Sequence, residues 1–429
     1  MQMGKLSFLV LVFCSMTAEG QKMYSDRIIG LRVYGSVKAG FPVVIQDSTA
    51  LTVEFDTNED KPANFRLKFY HCDRDWNRTL SDFVNDESRN RSHYPLSYRT
   101  APAGVQKYRF HYLFRLPGVP GIQRFLYSGN HILELWDEDG TDRIAACRFL
   151  VAEKTVKPAL KVVNTRLAEQ SPYDLAHKIE VQVQIPEMVK RRQALETFGK
   201  DSPGSPEQQE VLNPLQVRSM DVYKNRELYR PSRFDLNSPG AHTTINGFGT
   251  SRLKLTIGNI SPGNEYRRLD IRNVAAYPPG QLLLSRKGAD VPRLLYAGNR
   301  DNHGLSSVTD GDQYADYLTI QFEYRDDDKS AGDSIFLVGD FNGWQPSVTS
   351  LMKYNADLKR FVLTTSLRRG TYDYQYVYGS DWLGAEGSDW RTINIYTAVL
   401  YYHDNRLGGF DRILGVVQGR SSGKNEPEN

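Results

Sequence analysis

The sequence predicts an all-β protein of three tandem β-sandwiches, and three observations carry that prediction. Short apolar, β-branched and aromatic runs recur along the chain, each closed by Gly, Pro, Asn or Asp. No alternation of helical and strand patterns appears, which argues against α/β classes. Residues 370–379, GTYDYQYVYG, set aromatics on alternate positions, the two-residue period of a half-buried strand. A chain of 429 residues has room for two or three such domains.

The elements follow in order. Residues 1–20 hold one lysine, an apolar run over residues 6–13 and small residues at Ala18 and Gly20, the pattern of a secretory signal peptide cut after Gly20. Phe13 is not the small residue a lipid-modified Cys14 needs, so simple cleavage is expected. The run is too short to span a bilayer, and no later segment is long and apolar enough to do so. An exported, periplasmic protein is expected.

Residues 22–154 form the first predicted sandwich, with strands such as RIIGLRVYG, ALTVEFDT, FRLKFYHC and YRFHYLFRL. It closes on the hairpin HILELWDEDGTDRIAACRFLVAE, with Asp139 and Gly140 near the tip. Asp137, Glu138, Asp139 and Asp142 cluster there, but the loop is too short for a calcium loop and lacks its closing Glu, so they read as solvated turn carboxylates.

After the linker KTVKP, residues 157–300 form a second, immunoglobulin-like sandwich with strands LKVVNTRL, HKIEVQVQIP, LQVRSMDVYKN, LKLTIGN and RRLDIRNV. Residues 187–210 read as an insertion, helical at first and then polar, with Lys190, Arg191 and Arg192 on a solvated helix face. The third sandwich, residues 312–414, runs from YADYLTIQFEYR through IFLVG and an Asp-Phe-Asn-Gly-Trp turn to TAVLYYH. Residues 415–429 are polar and are expected to be a disordered tail.

The 54 basic and 51 acidic side chains nearly cancel, to +3, which argues against a nucleic-acid partner. With Cys14 in the signal peptide, Cys72 and Cys147 remain. Export permits a disulfide between them, but both sit in strand-like segments, where two small buried thiols are the favoured reading.

Nothing in the motifs points to catalysis. The eight histidines show no metal-ligand spacing, and no H-E-x-x-H, C-x-x-C, G-x-S-x-G or phosphate-binding glycine loop occurs. The tightest polar cluster is His71, Asp73, Asp75 and Trp76 in YHCDRDWN. Neighbouring residues on a strand face opposite ways, so His71 and Cys72 make a poor nucleophile pair. A strand, an Asp-rich turn and a capping Trp76 explain the same residues. No enzyme activity, cofactor, metal or small-molecule substrate is expected.

The third segment, with VGDFNGW and GTYDYQYVYG, resembles the early-set sandwiches attached to glycogen-branching and debranching enzymes, many of which bind glycans. That resemblance implies sugar stacking on Trp344 and Trp382 with help from Asn394, although Gln375 stands where those modules carry a lysine. The alternative, in which Trp344 caps the sandwich core, is favoured.

Taken in order, DRIIGLRVY, FYHCDRDWN, SGNHILELWDEDG, RFLVAE, NPLQVRSMDVYKN, NEYRRLDIRN, VGDFNGW and GTYDYQYVYG resemble the plug proteins of the Bacteroidetes type IX secretion system. The resemblance implies a non-catalytic periplasmic protein at the inner face of the outer membrane. It would bind the periplasmic opening of a giant outer-membrane β-barrel translocon and close the empty pore. A periplasmic glycan-binding protein and a cargo protein of the same secretion system are the rival readings.

Overall fold

The computed structural model describes residues 21–166, 175–192, 207–298 and 301–423; the signal peptide expected over residues 1–20 lies outside them. Among the described residues helical geometry is confined to three-residue 3₁₀ turns, and the protein is all-β.

Alternation builds the first sandwich. Leu51–Thr57 and Phe110–Leu116 pair antiparallel, and Val53, Phe55, Tyr112 and Phe114 turn to the core. Phe55 and Tyr112 stack with centroids 5.0 Å apart. Ile28–Gly35 and Tyr98–Thr100 flank this pair. The facing sheet is ordered Lys22–Met23, Arg143–Ala152, Gly129–Trp136, Arg66–Cys72, Arg91–Ser92, with Val43–Ile45 parallel to Arg143–Ala152. Its Leu67, Phe69, Leu133 and Phe149 close the core. Cys72 and Cys147 are both buried free thiols.

The second sandwich packs Ala159–Arg166, Leu175–Gln184, Arg252–Ile260 and Thr243–Asn246 on a sheet ordered Ser232–Asp235, Val217–Lys224, Ile395–Asp404, Phe410–Arg420. Two of these strands come from the end of the chain, where the sequence reading closed the third sandwich at residue 414 and began a tail at 415. Residues 415–420 instead continue a strand; residues 424–429 lie outside the described residues. The physical reason is that TAVLYYH is apolar on both sides. Ala398, Leu400 and Tyr402 face the second core, while Val399 and Tyr401 join a cluster with Phe41, Trp76 and Leu150 of the first sandwich.

The third sandwich is therefore inserted within the second. It begins with Arg267–Asp270, whose Arg267 pairs with Tyr374, so RRLDIRNV belongs here and the expected boundary between residues 300 and 312 falls inside this domain. Gly370–Tyr378 is the centre of one sheet, with Arg267–Asp270 on one side and both Ser307–Val308 and Ile335–Gly339 on the other. The second sheet is ordered Leu282–Leu284, Tyr317–Tyr324, Arg360–Arg368, Lys353–Asn355. Tyr372, Tyr374 and Tyr376 enter the core as their alternation predicts. The strand is not half-buried, however: Asp373, Gln375 and Val377 on its other face are buried as well.

Where the start of the insertion over residues 187–210 was expected to be helical, Met188–Arg192 pairs antiparallel with Glu207–Val211, Met188 opposite Val211. Ladder hydrogen bonds and the packing of Val189 on the second core outweigh the helical propensity of the run. Residues 193–206 lie outside the described residues.

A chain ending at Asn394 would lack two strands of the second sandwich and leave Met220 and Val222 uncovered. We expect it to lose its cooperative thermal transition and to be cut readily by protease within residues 159–260. A single sharp transition like that of the full chain would contradict this topology.

Candidate functional site

The residues expected to stack sugar do converge, but inside the protein. Trp344 is 1% exposed; its ring lies 4.3 Å from that of Tyr266, and its Nε1 donates to the Gly304 carbonyl at 3.1 Å. Gly304 sits at φ +85°, and a Cβ there would meet the indole at 3.0 Å, so only glycine lets the loop lie this close. Trp382 is buried beneath the Arg230 guanidinium, 4.3 Å from its ring centroid. The Asn394 side chain accepts from Asn225 at 2.9 Å and donates to the Pro262 carbonyl at 2.9 Å. Gln375 is buried too. None offers a face to a sugar ring, which corrects the stacking role for Trp344, Trp382 and Asn394. The cause is the insertion topology: this face of the third sandwich lies against the junction with the second, where Tyr266, Val338, Trp344, Val377 and Trp382 form one apolar cluster.

That junction is one of three. At their meeting point Arg226, from the second sandwich, reaches Asp340 of the third with Nε 2.8 Å from Oδ1. Its Nη atoms donate to the carbonyls of Val33, Ala39 and Gly40 in the first. Asp340 also accepts from the Ser306 amide at 3.0 Å and from its hydroxyl. Burial alone would raise the Asp340 carboxyl, but Arg226, Arg32 and the Ser306 bonds outweigh it and hold the group below the usual range.

Between the first and second sandwiches, fully buried Arg412 donates to both Glu153 oxygens at 2.8 and 3.0 Å and to Asp404 at 2.9 Å. Arg74 reaches Asp221 at 2.8 Å, and Tyr401 donates to Asn130 at 2.8 Å. The cluster in YHCDRDWN is used up here. His71 bonds Thr79 and the carbonyls of Ser128 and Asp411, and burial pushes its pKa down to about 4. Burial pushes the Cys72 thiol up to about 12. Asp73 closes the turn by accepting from Asn77. Between the first and third sandwiches, Asp56 accepts from Tyr317 at 2.7 Å and Arg368 at 3.3 Å and pairs with His111.

Beside the first and second sandwiches runs an open groove of about 740 Å³, lined by Gln46, Asp47, Phe125, Glu153, Met188 and Val189 among others. Met188, Val211 and Leu215 are exposed large apolar residues on or next to the hairpin that forms one wall. Sequence reasoning missed Arg226, Asp340, Arg412 and Asp56. Their partners lie far away along the chain, so no local spacing marks them.

Two outcomes are expected. Trp344→Ala should destabilise the protein by about 3–5 kcal/mol, as loss of a buried aromatic does, read as a lower melting temperature. Titration of maltooligosaccharides should show no binding before or after the change. Burial, and then the charge of nearby Asp301, push the Asp373 carboxyl up from the ordinary aspartate range to about 7. A raised acid contributes stability below its unfolded pKa and loses it as pH rises through the folded one. Asp373→Asn should therefore raise the melting temperature relative to the parent at pH 8, with the gap closing towards pH 4. A gap independent of pH would contradict the assignment.

Residues 28–153 match the family model described as Type 9 secretion system plug protein 1st domain. No curated protein matches the chain. Among solved structures, the chain is similar to a hypothetical protein from Parabacteroides merdae ATCC 43184. That likeness has 18% identity and a TM-score of 0.70, covering 94% of this chain and 99% of that one. At that identity the likeness speaks for the fold alone, and it extends over all three sandwiches. Dimeric latent PorU from Porphyromonas gingivalis is 11% identical over 91% of this chain and 34% of its own, with a TM-score of 0.13 that carries no argument. The matched family region begins at the first residue of Ile28–Gly35 and ends one residue past Arg143–Ala152, and so spans the first sandwich. The first sandwich is thus similar to the first domain of the type 9 secretion system plug proteins.

Proposed function

We propose that the protein is a non-catalytic periplasmic stopper. It docks at the inner face of the outer membrane on the periplasmic opening of the giant β-barrel translocon and closes its pore while no cargo is engaged. The family match over residues 28–153 is the observation that carries this reading. A barrel wide enough for folded cargo encloses an aqueous lumen, and an unstoppered lumen leaks.

What supports a stopper is mechanical. Three sandwiches are joined to one another by buried ion pairs that the chain itself supplies. What supports a non-catalytic role is that the polar residues expected to attract attention, His71, Cys72 and Asp73, are occupied by structural bonds or buried.

The test compares outer-membrane permeability to a large glycopeptide antibiotic in three strains: intact, deleted for this protein, and deleted for both it and the barrel. We expect the single deletion to leak and the double deletion not to, while cargo secretion persists in the single deletion. Equal leakage from both deletions would mean that the protein guards something other than the barrel.

A further inference from the structure

The edge of a sheet can accept a further strand, and natural proteins commonly blunt it with charge. The second sheet of the third sandwich is blunted on one side only. Its edge Lys353–Asn355 exposes a lysine and an asparagine. The opposite edge, Leu282–Leu284, is three leucines. Leu283 turns into the core, while Leu282 and Leu284 are left 57% and 45% exposed. They lie beside Thr319 and Gln321, so the sheet face they share is polar and does not account for them.

The backbone is open on the same side. The Ser285 amide donates inward to the Gln321 carbonyl at 2.9 Å. Amide and carbonyl groups alternate sides along a strand, so those of Leu282 and Leu284 point outward, where no strand among the described residues pairs with them. The chain loops out over residues 286–289 and then rejoins the same edge. There the Asp290 amide donates to the Glu323 carbonyl at 2.8 Å, and the Arg325 amide donates to the Asp290 carbonyl at 2.7 Å. Val291, Leu294 and Leu295 follow, all exposed.

This apolar line is one strand wide. A specific interface between two folded bodies buries roughly 1,200–2,000 Å², whereas an extended segment needs only the edge and its flanking side chains. The local charge is positive. Arg267, Arg286 and Arg293 share two carboxylates, Asp290 and Glu386. Lys287, exposed in the loop, has no acidic partner among the described residues. In the acidic loop beyond Tyr324, Asp326 is engaged by Tyr378 and Asp327 by Arg325.

We propose that Leu282–Leu284 is a strand-addition site, at which an extended segment of another protein, apolar at alternate positions with acidic residues beside them, joins the second sheet of the third sandwich. Its backbone pairs with the outward groups of Leu282 and Leu284, its apolar side chains cover the two leucines, and a carboxylate meets Lys287. The site does not depend on the plug reading.

The experiment titrates two labelled, blocked heptapeptides, one alternating Val with Glu and one alternating Val with Lys, with the full chain and follows fluorescence anisotropy. The Glu peptide should bind saturably and about fivefold more tightly than the Lys peptide, as one exposed charge pair allows. Leu284→Pro removes the outward amide and spares the inward ladder, so it should abolish binding at an unchanged melting temperature. Lys287→Glu should remove the preference for the Glu peptide. No saturable binding of the Glu peptide, or equal binding to Leu284→Pro, overturns the proposal. A concentration-dependent dimer in sedimentation that Leu284→Pro dissolves overturns it too, because the edge then pairs with a second copy. Should Leu284→Pro fail to fold, Lys287→Glu decides: a preference for the Glu peptide that survives this change overturns the proposal equally.

Discussion

The Arg226–Asp340 pair is the contact on which the relative placement of all three sandwiches depends. Both side chains are almost fully buried, at 7% and 5% exposure, and burying either alone would be strongly unfavourable. The guanidinium is therefore compelled to find Asp340 in the third sandwich and the carbonyls of Val33, Ala39 and Gly40 in the first at the same time. An apolar junction of the same area would tolerate sliding, because hydrophobic burial is not directional. Directional, charge-assisted bonds in three bodies do not. The same logic recurs at Arg412 and at Asp56, so each pair of sandwiches has at least one charged group that accepts a single arrangement.

Close backbone approach reinforces the pairs. Gly30 sits at φ +63°, and a Cβ there would fall 1.9 Å from the Tyr317 hydroxyl, which itself bonds Asp56. A side chain at that one position would separate the first and third sandwiches and leave Asp56 short of a donor. Packing and electrostatics thus share residues across the junctions rather than acting in separate places.

The all-β class and the strand positions were legible because alternation and turn residues are local signals. Val53 and Phe55, or Tyr372, Tyr374 and Tyr376, announce a core-facing strand side within a few residues. Domain membership was not legible. TAVLYYH reads as a strand wherever it sits, and only its pairing of Val399 with Asp221 shows that it belongs to the second sandwich. The fate of Trp344 and Trp382 was half legible: their size predicted packing, but the third sandwich's neighbour, which buries their outer side, leaves no trace in nearby sequence. Charge runs misled where helix propensity was good, since the ladder between Met188–Arg192 and Glu207–Val211 is settled by tertiary pairing.

The strand Ile395–Asp404 is a wall common to two cores, and it follows the whole third sandwich along the chain. A chain emerging N-terminus first, from a ribosome or across a membrane, presents Leu175–Gln184 and Val217–Lys224 long before the strands that cover them. The second sandwich must wait as an open half-shell while the entire third sandwich is threaded out, and it closes only when the final hairpin of Ile395–Asp404 and Phe410–Arg420 arrives. Folding of the second sandwich is in effect latched by a hairpin that follows the third. A protein that has to pass a narrow conduit unfolded and then become rigid on the far side gains from that order of events, since completion is postponed until the passage is over.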